Sequence, residues 1–348
     1  MGRLKRMKTA FVLGGTGFVG RHVARRLADG GCDVTIGSRG ETVIPSDVCG
    51  IKHVALDRGD DAQLKGALGD GVDVLVDVIP FEMRDAAQIV SLDALVGSVV
   101  AISTGSVYAD DQGRTIDEAT SEATFPDIPI PTRETQRRAA PGDATYSTKK
   151  VAIEDILQEQ AECPATVIRP CAIYGPGDTQ CREWFFIKRI LDKRPFVLLA
   201  DEGETVFHTT SVHNLAELVR LAAENPVHGA FNCGDPDPPN TRRIARSIAT
   251  VMEHDWEEVL LPRSLSTTWE FRNPWGGFRP LIAAMDKAHD ELGYEPVTTY
   301  DRAIVETVEW VIAATRDTDW REVLPKAADY LGDKFDYDAE DALIRERG

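Results

Sequence analysis

The chain has 348 residues, too long for one small core and about the size of two domains. Hydrophobic residues make up 43% and aromatic residues 7%, which excludes a disordered chain. Lys and Arg number 39 against 57 Asp and Glu, so the net charge of −18 argues against non-specific binding to nucleic acid or anionic lipid. A local basic pocket for an anionic small molecule stays open.

The six cysteines form no C-x-x-C pair, and no Cys/His cluster has zinc-ligand spacing, so no metal site is expected. No window holds 18 apolar residues, and the basic stretch Met1–Lys8 runs into a glycine-rich segment too soon for a secretory leader. The expectation is a cytoplasmic protein with free thiols and no membrane partner.

Residues 9–13 (TAFVL) read as a strand that ends in glycines. A helix follows over 18–28, with Phe18, Val19, Val23 and Leu27 on one side, and Gly30-Gly31 stops it. Further strands are expected at 34–36, 53–56, 72–79 and 98–102, with helices near 61–68 and 85–95. Apolar strands alternating with helices predict an α/β fold, a Rossmann-type doubly wound parallel sheet covered on both faces.

The segment 120–143 holds four prolines and many charges and reads as a long surface loop. A helix over 146–160, a strand at 165–169, a helix near 182–193, a strand at 196–199, a helix at 212–224 and a strand at 230–233 follow. Residues 262–280 read as an irregular loop, and 313–348 as a charged peripheral extension.

Gly14, Gly17 and Gly20 lie in GGTGFVG, between a strand and a helix. Glycines there allow a tight turn and close backbone approach to a pyrophosphate, while the first helical N–H groups, from Phe18 and Val19 onward, and the helix dipole favour an anion. A site for NAD carries an acid at the end of the second strand, about 20 residues further on. Here Ser38 and Arg39 stand in that place, and a guanidinium suits a 2′-phosphate, so NADP is the expected cofactor. Asp57 is either a hydrogen-bond partner for adenine or a turn former before Arg58-Gly59.

Tyr146 and Lys150 make a Tyr-x-x-x-Lys pair on one helix face. A lysine there lowers a tyrosine pKa that is otherwise about 10, so the phenol can move a proton near neutral pH. A second match, Tyr330 with Lys334, is set aside because a glycine interrupts it. The hydroxyls of Ser103, Thr104 and Ser106 follow the fifth strand, where a parallel sheet opens its ligand crevice. Thr104 is the candidate to hold a substrate oxygen, and local loop capping is the competing reading.

These stretches, with RPCAIYGPGD at 169–178 and DKAHDELGYEP at 286–296, are similar to the extended short-chain dehydrogenase/reductases, the NAD(P)-dependent epimerase/dehydratase group. They stand in family order and span about residues 8–312. The resemblance implies a Rossmann domain over 8–180 plus about 205–235, and a smaller, discontinuous substrate domain over about 181–204 and 236–312. It implies Thr104, Tyr146 and Lys150 as the catalytic set, with Lys150 also holding the nicotinamide ribose. Family members often dimerise through helices beside the catalytic one, so a homodimer acting on a small molecule is implied.

Three departures bear on substrate. Gly105-Ser106 replace the Asp-Glu pair of 4,6-dehydratases. Cys171-Ala172 replace an asparagine-bearing stretch of many sugar-nucleotide enzymes. Arg279 stands nearest the place of a diphosphate-binding arginine, at short spacing. Ser106, Trp184, Phe185 and Arg279 are the candidate substrate contacts, with core packing the alternative for the two aromatics. The loop residues Trp269, Arg272 and Trp275 suit a ring-bearing anion or a surface contact equally. His208 and His213 lack a third ligand nearby and read as structural.

The function expected is hydride transfer at a secondary alcohol or ketone, as a sugar or sugar-nucleotide epimerase or reductase. An NADPH-dependent ketoreductase on a non-nucleotide substrate and a non-catalytic dinucleotide sensor are the alternatives.

Overall fold

A computed structural model describes residues 8–41, 44–263, 273–332 and 334–347. Its strands are β1 (Thr9–Leu13), β2 (Asp33–Ser38), β3 (Lys52–Ala55), β4 (Val74–Asp77), β5 (Val99–Ile102), β6 (Ala165–Pro170), β7 (Ala172–Tyr174), β8 (Phe196–Ala200), β9 (Thr209–Ser211), β10 (Gly229–Cys233) and β11 (Glu257–Leu261). The helices are α1 (Phe18–Asp29), α2 (Asp61–Leu68), α3 (Met83–Val90), α4 (Tyr146–Gln160), α5 (Trp184–Leu191), α6 (Val212–Glu224), α7 (Thr241–Val251), α8 (Asp286–Leu292), α9 (Tyr300–Thr315), α10 (Trp320–Val323), α11 (Pro325–Leu331) and α12 (Tyr337–Arg347).

The chain divides into two compact units. The first comprises residues 1–171, 212–234 and 283–297. It holds a seven-stranded parallel sheet in the order β10-β6-β5-β4-β1-β2-β3. β4, β5 and β6 are buried along their whole length, as strands covered on both faces must be. Phe11, Leu75, Ile89, Val99, Ile153 and Leu157 share the core on one face. The strand order reverses between β1 and β4, which opens the crevice where ligands bind such sheets.

The second unit comprises residues 172–211, 235–282 and 298–348. This partition differs from the sequence expectation at three places. Residues 172–180 and 205–211 belong to the second unit, because β7 pairs in parallel with β9. The segment 283–297 returns to the first unit, where Lys287 donates to the Ala230 carbonyl at 2.9 Å.

The third difference is the charged C-terminal stretch, which is not peripheral. Trp320, Leu324, Ala327 and Leu331 are core residues at spacings of a helical face. Arg189, 2% exposed, donates to the Lys334 carbonyl at 2.6 Å and to Glu340 at 2.5 Å. α11 ends at Leu331 and Gly332 turns at φ +45°, so Tyr330 and Lys334 do not share one helix, as the sequence reading held.

The long segment before α4 is fixed to the first unit. Tyr108 bridges Arg138 in antiparallel fashion, and Ala139 N–H donates to Val107 O at 2.8 Å. Asp110, 2% exposed, accepts from the backbone of Gln112, Arg114 and Asp127 and from the Arg114 guanidinium. Burial raises its pKa, but these donors outweigh burial and hold the carboxyl at about 2.

Candidate active site

The glycine turn comes first, because β1 delivers it to the crevice. Gly14 sits at φ +77°, and a Cβ there would lie 2.9 Å from the Val78 and Ile79 side chains. A Cβ on Gly20 would lie 2.1 Å from the Gly14 carbonyl. Gly17 caps α1 with no side chain, and the first turn carries no acidic residue. The opening N–H groups of α1, at Phe18, Val19 and Gly20, therefore have no intrahelical acceptor and suit a pyrophosphate. The cradle fits a dinucleotide, and a Cβ at Gly14 or Gly20 would collide with the atoms that shape the turn. Gly20→Ala is expected to weaken dinucleotide binding at least about tenfold, read by calorimetric titration.

At the far end of β2, Ser38 Oγ lies 2.8 Å from His53 Nε2. The Arg39 side chain is 73% exposed, with Glu41 at 3.3 Å. Asp57 is exposed and acts as a turn former, its Oδ1 accepting from Gly59 N–H at 2.8 Å.

The catalytic candidates converge at the carboxyl ends of β4 and β5. A Thr145–Thr148 capping box starts α4, so Tyr146 is its first residue and Lys150 lies one turn on. Lys150 is 3% exposed, and its ammonium donates to Pro80 O at 2.7 Å and Ile102 O at 3.0 Å. Burial lowers this ammonium to about 8, against the pull of Asp77 and Glu154.

The Pro80 carbonyl is itself held in place. Arg58 donates to both Asp77 carboxylate oxygens at 2.9 Å and to Ile79 O at 3.0 Å, and Ile79 N–H donates to Asp77 at 3.0 Å. The same turn packs against Gly14, so one ion pair fixes both the glycine cradle and the acceptor of Lys150.

Tyr146 is 48% exposed, so its desolvation is partial. Burial nonetheless raises its pKa, Asp117 raises it further, and a hydrogen bond with Thr104 opposes both. This differs from the sequence expectation of a phenol depressed by lysine. The Lys150 Nζ lies 5.8 Å from the Tyr146 ring centre and donates to two carbonyls. Thr104 Oγ1 donates to Ser106 Oγ at 3.2 Å and accepts from Ser106 N–H at 3.2 Å, which is the local capping role. Ser106 also accepts from Ser147 Oγ at 3.0 Å.

Beneath this layer lies a buried charge cluster that the sequence reading missed. Glu154 continues the Tyr146–Lys150 face by one more turn and is 1% exposed. It accepts from Ser103 Oγ at 2.6 Å, from Arg169 at 3.0 and 2.6 Å, and from Arg138 at 3.0 Å. It thus ties α4 to β5, β6 and the long segment. The signal was available, since residues 146, 150 and 154 share one helical face and Ser103 adjoins Thr104.

The remaining substrate candidates belong to the second unit. Trp184 and Phe185, each 3% exposed, are core residues rather than pocket lining. Trp184 packs against Trp320 at 5.7 Å, and Arg189 lies 3.7 Å over the Phe185 ring. Trp275 stacks on Phe186 at 5.7 Å, and Arg279 is half-buried. Trp269 and Arg272 lie outside the described residues. His208 is 2% exposed with Nε2 2.8 Å from Asp235 O, a structural role, and in the first unit His213 packs edge-on to His22 at 5.3 Å. Among the described residues no His, Cys, Asp or Glu group could hold a metal, and no helix is long and apolar enough to cross a membrane. All six cysteines are free thiols.

A Rossmann unit with a glycine cradle and a Thr-Tyr-Lys set at the strand ends defines a dinucleotide-dependent enzyme. The chain belongs to the NAD dependent epimerase/dehydratase family, whose model matches residues 10–234. Members use NAD(P), and this chain is an enzyme of that kind. A comparison with curated proteins finds no match.

Among solved structures, a UDP-N-acetylglucosamine 4-epimerase from Methanobrevibacter ruminantium is 18% identical with TM-score 0.69, over 89% of this chain and 99% of that one. A UDP-glucose 4-epimerase from Thermotoga maritima is 19% identical with TM-score 0.65, over 87% and 98%. A dTDP-glucose 4,6-dehydratase from Bacillus anthracis, in complex with NAD, is 17% identical with TM-score 0.66, over 91% and 99%. At these identities the likeness carries the fold.

Proposed function

We propose that the protein is a sugar-nucleotide epimerase acting at a secondary alcohol. The observation that carries the reading is the meeting of Thr104, a solvent-facing Tyr146 and a buried Lys150 in one crevice. The bound nicotinamide supplies hydride exchange with the carbinol carbon. Tyr146 removes the hydroxyl proton and returns it, and Thr104 holds the same oxygen. Lys150 orients the nicotinamide ribose.

The sugar-nucleotide class is supported by the two epimerases named above, whose names give UDP-sugars as substrates. Gly105-Ser106 after the catalytic Thr disfavour dehydration, since neither side chain is an acid. The test is incubation of the protein with a panel of UDP-hexoses, with products separated and assigned by NMR. An epimer of one of them supports the reading, and oxidation or reduction without inversion points to a dehydrogenase or reductase.

We also propose NADP as the preferred cofactor. An exposed guanidinium at the end of β2, with no acid in the ribose position, favours a 2′-phosphate. Arg39→Ala is expected to weaken NADPH binding about tenfold and leave NADH binding unchanged. Equal loss for both cofactors would remove Arg39 as the phosphate contact.

A further inference from the structure

We propose that Asp117 is a positioning residue for Tyr146: the long segment before the catalytic helix carries it in to clamp the helix's first turn and set a fixed negative charge beside the phenol. This rests on the reading of Tyr146 as the acid/base.

The clamp is one short contact across thirty residues of sequence. Ser147 N–H donates to Asp117 Oδ2 at 2.7 Å. This is one of the opening N–H groups of α4 that lack an intrahelical acceptor. The Thr145–Thr148 box satisfies another locally, at 3.3 Å. The first turn of α4 contains no acidic residue of its own, so Asp117 supplies the carboxylate that the helix dipole favours. Ser147 is also held from the other side, because its hydroxyl donates to Ser106 at 3.0 Å. Its backbone and side chain are thereby fixed between two elements, and Tyr146 is the adjacent residue.

Asp117 does not drift on a loose tether. It sits in a single 3-10 turn, Ile116–Glu118. The preceding Thr115 is 5% exposed, and Asp110 pins Arg114 through both backbone and guanidinium.

Two charged groups flank the phenol. Lys150 lies on its own helix and is committed to two carbonyls, and Asp117 lies on the 3-10 turn. The end of β5 offers the hydroxyls of Thr104 and Ser106. A carboxylate in that company opposes ionisation of the phenol, and the hydroxyl of Thr104 favours it. The clamp thus joins two tasks, placing the phenol and raising the pH at which it ionises.

The experiment is a pH titration of phenolate absorbance on the full chain. Subtracting the titration of Tyr146→Phe isolates Tyr146 from the other tyrosines. Asp117→Asn keeps an oxygen for Ser147 and removes the charge, so Tyr146 should titrate at lower pH than in the parent. The pH midpoint of the activity rise should move down with it. Asp117→Ala removes the acceptor as well and should lower kcat about fivefold below Asp117→Asn, the scale of a slightly misplaced catalytic group.

An unchanged Tyr146 titration in Asp117→Asn would overturn the charge effect. Equal kcat for the Ala and Asn variants would overturn the clamp. A shifted titration with an unshifted activity profile would uphold the Asp117 contact and remove Tyr146 as the acid/base.

Discussion

Tyr146→Phe is expected to lower turnover by about 10²–10⁴-fold while leaving dinucleotide affinity within about twofold of the parent. The phenol hydroxyl is the proton carrier the proposed reaction uses beside Thr104, and a phenyl ring keeps the rest of the side chain in place. Tyr146 is 48% exposed, so losing its hydroxyl orphans no buried partner. Stability should therefore change by less than about 0.5 kcal/mol. The split between turnover and binding is the informative readout. Lost dinucleotide binding would instead make Tyr146 part of the cofactor site, and retained turnover would remove it from the chemistry.

The second large effect is structural. Arg169→Met should destabilise the first unit by about 3–5 kcal/mol, read as a lower midpoint of chemical unfolding. Arg169 and Glu154 are 3% and 1% exposed, and the guanidinium makes two bonds to that carboxylate. Methionine fills the space but leaves Glu154 facing only Arg138 and Ser103. Arg169 also donates to Tyr108 Oη at 3.1 Å, and that phenol caps its own chain of contacts to Asn232 at 2.5 Å. Adding Glu154→Gln to Arg169→Met should recover part of the loss, because the cost lies in a buried carboxylate left with Arg138 as its remaining cationic partner. A single variant as stable as the parent would mean the cluster is dispensable.

Activity should follow stability at this position. Glu154 holds Ser103, and Ser103 precedes Thr104, so loosening the carboxylate loosens the residue that positions substrate oxygen. A loss of about 1 Å in that placement is enough to cost about 10²-fold in rate.

How far the sequence alone carries the fold depends on how local the cause is. The glycine turn was readable because each glycine answers a backbone demand at that point, and the structure shows Gly14 and Gly20 with no room for a Cβ. Tyr146 and Lys150 were readable as an i, i+4 pair in front of an apolar helix. Non-local pairings were not readable. The three-residue strands β7 and β9 meet only through each other, and they move the unit boundary to Cys171–Ala172.

Charge density misled the reading of residues 313–348. Trp320, Leu324, Ala327 and Leu331 recur at helical spacing beneath the charges and enter the core. Arg189 and Glu340 make part of that charge an internal bond. The state of Tyr146 was misread for a related reason. A four-residue spacing puts a lysine near a tyrosine, but it does not say which acceptors the ammonium prefers, and here they are Pro80 and Ile102.

The most direct test of a hydride-transfer epimerase is to run the inversion in heavy water. The full chain, loaded with dinucleotide, is incubated with the UDP-hexose it inverts, and the product is examined for deuterium at the inverted carbon. Oxidation and hydride return at that carbon predict an epimer with no deuterium there and no net consumption of dinucleotide. Deuterium at the inverted carbon would mean that a proton was exchanged with solvent, and would contradict the assignment of Tyr146 and Thr104 to oxygen rather than carbon chemistry.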